Sequence, residues 1–342
     1  MATALRTQNS SAHSIETGVR WARRIAWFTL VALASVMLGQ PSFAQVTVEF
    51  HRTLTVISER PVKLHVELPN GNLQILYGRE GQVSISGVAK GSIAANLDDS
   101  FFARVLTVDQ EGNDLALRHV SNPKSPEAEI SVLYRIDVPY RTEVSSRLDR
   151  GNQNISGILG PVTAVARYGD IKASYLSSAL QAQVENGNMD IHVIGEHVEA
   201  RTGNGNISCT RVPQGVSAET GDGDITLMVV GPSTATVKNG RGRIDVGGAR
   251  GSLTGSTVEG DLHVKAIPHD DWQLSSASGS VRLEFPPAAK MELDASTTAG
   301  EFQIDRDDMA KPAPDLHRFE QKLNGGGKRI EVHTGSGKIV IR

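Results

Sequence analysis

The chain has 342 residues, with 34 glycines, 1 cysteine, 5% aromatic residues and a formal charge of −3 at pH 7. That length is ample for a buried core in one or two domains. The lone cysteine excludes a disulfide scaffold, a multi-cysteine zinc site and a CxxC redox motif. The mildly negative charge excludes the basic footprint of a nucleic-acid binder. Glycine is in excess of the usual ~7%, without collagen spacing or a linker's load of Pro and Ser. Something in the fold uses it repeatedly.

In chain order, the first element is an address. Arg20, Arg23 and Arg24 precede an uncharged apolar run from Ile25 to Leu38, followed by small residues at Ser42 and Ala44. The run is shorter than the ~20 residues a membrane-spanning helix needs. It predicts a secretory signal peptide over residues 1–44, cut after Ala44. Gln45 follows the cut, so no lipid anchor is expected. The remaining chain would carry 31 basic and 37 acidic residues, a net charge of −6. No later stretch approaches membrane-spanning length, so an exported, periplasmic or extracellular protein is expected.

Residues 45–149 are predicted as an N-terminal β lead-in or cap. VTVEFH, VKLHVEL, QVSISGV, ARVLTVD, DLALRHV and EISVLYRIDVP alternate apolar and polar residues between turn-rich pieces such as QEGND.

Residues 150–342 are predicted as a repeat domain. A glycine, a small or polar residue and an aliphatic one recur in YGDI at 168, GNGNI at 203, GDGDI at 221, GRGRI at 240 and GSGKI at 335. From Ile155 to Phe302 the aliphatic positions are spaced 16, 20, 16, 18, 19, 18, 19 and 21 residues apart. Nine residues before most of them lies another apolar residue, and each member of the pair has an apolar partner two residues on. Val198, Ala200, Ile207 and Cys209 make one such set; Trp272, Leu274, Val281 and Leu283 make another. Period-two alternation means strands with one buried face, and the glycine between them supplies a tight turn. The fold class expected is all-β: a β-solenoid of stacked strand–turn–strand units with a period of about 18 residues. A hairpin meander satisfies the same alternation; repetition of one turn chemistry at nearly one spacing favours the solenoid. Cys209 falls on an inward face, which predicts an inert core thiol.

The unit around Ile155 departs from the pattern, with Ser146 and Gly157 at two of its four places. Residues 305–328 interrupt the array, and their Pro and Gly content predicts an irregular surface segment. The strand Lys338–Arg342 is expected to be an open edge unless the N-terminal strand, the 305–328 segment or a second chain covers it.

The segments VELPNGNLQI, ARTGNGNISC to AETGDGDITL, and the ending LNGGGKRIEVHTGSGKIVIR resemble a group of bacterial secreted β-strand-repeat proteins. That group is of largely unknown function and is often labelled adhesin-like or toast-rack. The resemblance spans about residues 60–342 and implies an envelope or extracellular β-repeat domain. It brings no catalytic residues.

The residues themselves offer little chemistry. No G-x-S-x-G pentapeptide occurs, and GGGK at 325–328 lacks the first glycine of a P-loop. The GxG turns open no helix, so turn geometry outweighs dinucleotide binding. His192 and His263 read as equivalent outward positions four coils apart, too distant to share a metal. The column just before the aliphatic position includes Asp170, Asp190 and Asp224. Asp170 and Asp190 would stand about a coil apart, and Asp222 with Asp224 adds oxygens nearby, making these four the candidates for structural calcium. Turn capping by short Asp and Asn side chains is the competing reading. No catalytic residue or cofactor is predicted. Most turns are too short to build a cleft with paired carboxylates, and exposed aromatic platforms are scarce. The function expected is a non-enzymatic, adhesin-like binding module for an envelope protein or polysaccharide. A scaffold or sensor of envelope homeostasis and a carbohydrate-active enzyme are the alternatives, and strand edges could support a homo-oligomer.

Overall fold

A computed structural model describes residues 45–92, 97–120, 130–313 and 315–342. The predicted signal peptide lies outside the described residues. Two sheets of 14 strands each run the length of the stack. Alternation dictates the layering: Val198, Ala200, Ile207 and Cys209 are all buried, while Glu199, Arg201 and Ser208 between them face outward. Each coil contributes one strand to each sheet, and successive coils pair in parallel. Val198 stands beside Val216, and Ile207 beside Ile225. Parallel pairing between coils is the mark of a solenoid; a meander would pair antiparallel. The strand pair 62–70 and 72–77 stacks directly on 142–150 and 153–156 in the same register.

The interior is a narrow column of Ile, Val, Leu and Ala, each fully buried aliphatic side chain contributing about 2 kcal/mol. Trp272 is its largest member; the indole N–H donates to Gly251 O at 3.0 Å, so its burial leaves no polar group unpaired.

Register corrects the phase read from sequence. The strand starts align Gln153, Ile171, Met189, Ile207 and Ile225 at steps of 18, whereas Ile155 and Ile191 lie one inward position further on, beside Ala173 and Cys209. Two inward positions per strand can each be aliphatic, so the spacings of 16 and 20 are alternations between two columns, whereas those of 19 lie within one column. The departing unit stays inside because its polar groups meet: Ser146 Oγ donates to Gln153 Oε1 at 2.6 Å, and Gln153 Nε2 donates to Val165 O at 2.7 Å.

The array is not stacked in sequence order at its far end. Strands Lys328–Ser336 and Lys338–Ile341 lie between the coil Trp272–Glu284 and the coil Met291–Ile304. The strand 338–341 is therefore paired on both sides and is no open edge, contrary to expectation. Part of the interrupting segment is regular too: Arg318–Leu323 pairs antiparallel with Met291–Thr297. Arg306 and Met309 are buried behind it, and Arg306 donates to Phe285 O at 2.8 Å, so this segment closes the end of the core. At the other end a short helix, Phe101–Val105, buries Phe101 and Phe102; Phe102 packs against Phe50 and Tyr134.

Candidate functional site

The glycine turns build one corner of the stack. Gly151, Gly169, Gly187, Gly205 and Gly223 lie one above another with φ between +130° and +156°. An added Cβ at Gly205 would sit 2.0 Å from Gly187 O. Buried hydroxyls and an amide cap the glycine carbonyls: Thr202 to Gly187, Thr220 to Gly205, Asn239 to Gly223 and Ser276 to Gly260, at 2.8–3.1 Å.

The candidate calcium residues belong largely to this corner. Asn188 N–H donates to Asp170 Oδ1 at 2.8 Å, Asp224 N–H to Asn206 Oδ1 at 2.7 Å, and Arg243 N–H to Asp224 Oδ1 at 2.7 Å. The same link joins Asn72 to Asn152, Asn152 to Asp170, and Asn188 to Asn206. The turn carboxylates and amides thus form a ladder in which each oxygen accepts a backbone N–H of the next coil. Capping is the role observed, between coils and not within a turn. Asp190 stands elsewhere, out on its strand in register with Lys172 and Ser208. It does not share a column with Asp170. Asp222 pairs with Arg241, whose hydrogen bonds hold its carboxyl below the usual carboxylate range. Among the described residues no group of three or more His, Cys, Asp or Glu side chains is placed to hold a metal ion.

Burial pushes the Cys209 thiol up to about 12, with the nearby Asp190 carboxylate adding to the shift, so the thiol stays protonated. His192 and His263 are not equivalent: His192 pairs with Ser174 and Thr210, His263 with Asp245 and Arg282. His263 sits between two carboxylates of adjacent coils, 3.1 Å from Asp245 Oδ1 and 3.2 Å from Glu284 Oε1. Partial burial raises Glu284, but hydrogen bonds from Lys265 and His263 outweigh it and hold its carboxyl below the usual range.

An extended concave feature lies on the outer face of the sheet containing Val198–Asn204. Three depressions of about 620, 830 and 550 Å³ follow one another along it. The first two share Gln183 and Glu185, and the last two share Ser256, so they form one trough. From Glu67 to His333 it crosses ten strands, about 43 Å at ~4.8 Å per step. Its floor is low where outward positions are glycine, as at Gly203, Gly221 and Gly240. These are the first glycines of the GxG turns: sequence reading assigned them to turns and missed the surface they hollow out.

The trough changes character along its length. Arg167 pairs with Asp149 at 2.6 Å, and Arg201 lies 2.6 Å from Glu199 and 3.6 Å from Glu219, with Lys238 next in register. Beyond Lys238 come the neutral side chains of Thr254, Ser256, Gln273 and Ser275. At the far end Asp294 is held between Arg318 and Arg329, each at 3.0 Å. The surface offers hydrogen-bond donors and acceptors along its length. Among the described residues no helix is long and apolar enough to cross a membrane.

Comparison with solved structures finds a "putative adhesin" from Bacteroides fragilis, 11% identical, covering 86% of this chain and 97% of that one at a TM-score of 0.37. A "putative lipid binding protein" from Parabacteroides distasonis is 13% identical and covers 69% and 96% at a TM-score of 0.40. A "putative cell adhesion protein" from Clostridium sporogenes is 11% identical and covers 86% and 98% at a TM-score of 0.20. No curated protein matches the chain. Residues 175–342, through the later coils of the two-sheet array, match the family described as Toastrack DUF4097.

Proposed function

We propose that the chain is a non-catalytic, adhesin-like binding module of the cell envelope or its exterior, using the trough to hold an extended partner, protein or polysaccharide. The carrying observation is the trough itself: a row of adjoining depressions about 43 Å long, in which each coil presents outward side chains at the same strand positions. A repeated surface matches a partner that is itself extended, because each coil can make the same kind of contact. Arginine and lysine in the charged half supply orientation, and the Ser, Thr and Gln half supplies exchangeable hydrogen bonds. The apolar run Ile25–Leu38 behind Arg20, Arg23 and Arg24 supports export.

The test is a surface-immobilised binding screen of the full chain against purified envelope polysaccharides and envelope-protein fractions. Arg201→Glu and Lys238→Glu together should weaken the captured partner at least tenfold. Binding indifferent to both changes would remove the trough from the proposal. Turnover of a polysaccharide abolished by one Asp→Asn change would replace the binding reading with an enzymatic one.

A further inference from the structure

The corner opposite the glycine turns carries a separate feature. The chain has five tyrosines, and three of them, Tyr77, Tyr140 and Tyr175, are 54%, 44% and 61% exposed. Tyr77, Gly157, Tyr175 and Val193 each lie one residue past Leu76, Ser156, Ser174 and His192, which are paired in successive coils. They therefore form one column along the corner. Gly157, Tyr175 and Val193 share a left-handed backbone, with φ of +75°, +54° and +56°. That conformation is disfavoured for a non-glycine residue, and here it goes with a Tyr175 ring set out into solvent.

Gly157 separates the two rings in the column without a side chain of its own, packed closely on Tyr77: a Cβ there would lie 3.0 Å from the Tyr77 Cβ. Tyr77 and Tyr175 are thus two coil rises apart, about 10 Å. Each is braced by an edge-on neighbour, Tyr77 by Tyr140 at 5.6 Å and Tyr175 by His192 at 5.9 Å. Beside the rings runs a column of short polar side chains: Ser174 Oγ donates to Ser156 Oγ at 3.0 Å, and His192 and Thr210 follow in register.

We propose that this corner binds a linear, uncharged, β-linked glycan. Alternate sugar rings would stack on Tyr77 and Tyr175, with the intervening ring over Gly157. Ser156, Ser174 and His192 would exchange hydrogen bonds with its hydroxyls. A pyranose has an apolar C–H face and a hydroxyl rim, which suits an amphipathic ring flanked by groups that both donate and accept. Such a chain advances per sugar by about one coil rise, so its period fits the column. Charges beside the two rings meet counter-charges, with Lys172 in register with Asp190 and Arg135 3.1 Å from Asp137, and the cation that continues the column, Arg211, follows only after Val193, which favours a neutral ligand at the rings. The site lies off the trough and does not depend on it.

Isothermal titration of the full chain with cellohexaose and chitohexaose, with polygalacturonate for comparison, tests the proposal. At least one uncharged hexamer should bind. Tyr77→Ala and Tyr175→Gly should each weaken it tenfold or more, while Tyr175→Phe, which keeps the ring, should retain it. Tyr168→Ala, on the glycine corner beside Arg150 and Arg167, should leave it unchanged. Binding of neither hexamer, binding of polygalacturonate alone, or binding indifferent to both tyrosine changes would overturn it.

Discussion

Substitution of Gly205 by alanine tests the stacking directly. The added Cβ would lie 2.0 Å from Gly187 O of the preceding coil, against a normal carbon–oxygen approach of about 3.3 Å. Relief of that ~1.3 Å overlap must come from separating two coils whose backbones are hydrogen-bonded on both sides of the turn, by Gly187 N–H to Asn204 O at 2.9 Å and Met189 N–H to Asn206 O at 2.8 Å. Overpacking of this kind costs about 1–3 kcal/mol. The φ of +148° adds about 1–3 kcal/mol, because that region is open essentially to glycine alone. The sum, about 4 kcal/mol, is a large share of an ordinary domain's stability. Gly112 is the control: its φ is +61° and nothing lies within 4 Å of an added Cβ, so alanine there costs only about 1–2 kcal/mol. Urea unfolding followed by circular dichroism should place the Gly205→Ala midpoint well below that of Gly112→Ala. Equal midpoints would refute the close-approach argument.

Two buried threonines should respond in opposite directions to valine. Thr220→Val loses the hydroxyl that caps Gly205 O at 2.9 Å and should cost about 1 kcal/mol, whereas the Thr257 hydroxyl has no partner among the described residues and its loss should stabilise by up to about 1 kcal/mol; melting temperatures that move the same way would contradict this. Asp294 is held below the usual carboxylate range by Arg318 and then Arg329. Its folded value is depressed, so its contribution is full above the unfolded value of ~3.9 and is lost as pH falls through the folded value. Asp294→Asn should flatten the acid limb of a melting-temperature profile, and an unchanged limb would assign acid sensitivity elsewhere. Deletion of residues 328–342 removes the parallel partner of strand Met291–Thr297 but leaves its antiparallel one; hydrogen exchange should show protection lost at the amides that faced Lys328–Ser336, and unchanged protection there would count against the inserted arrangement.

The repeat was legible because alternation is a local signal. Ile225 and Leu227, or Val281 and Leu283, announce an inward face regardless of what stacks on them, and all four are buried. Phase was harder to see where chemistry departs from the rule. Met189 and Gln153 are inward but not of the aliphatic type that marks the column elsewhere, and Gln153 is tolerated only through partners contributed by Ser146 and Val165. The inserted C-terminal pair could not be read at all, since the Trp272 and Leu293 strands offer Ile330 equivalent partners and nothing local chooses between neighbours in sequence and neighbours in space. The trough was hidden for a related reason: a glycine needed for turn packing and a glycine that hollows a surface look alike in sequence. The tyrosine corner depends on a positive φ at Tyr175, which no residue type foretells.

The placement of strands 328–336 and 338–341 inside the stack has a consequence for how the molecule is made. A ribosome delivers the coil Met291–Ile304 before the strands it must rest against, and among the described residues the strand partner that arrives ahead of them is the antiparallel Arg318–Leu323 strand. Vectorial growth of the array can therefore proceed coil by coil from Thr142 as far as Glu284 and must then wait. About the last sixth of the chain is completed in one step, when the final residues are free to slide between what has been built and what is still loose.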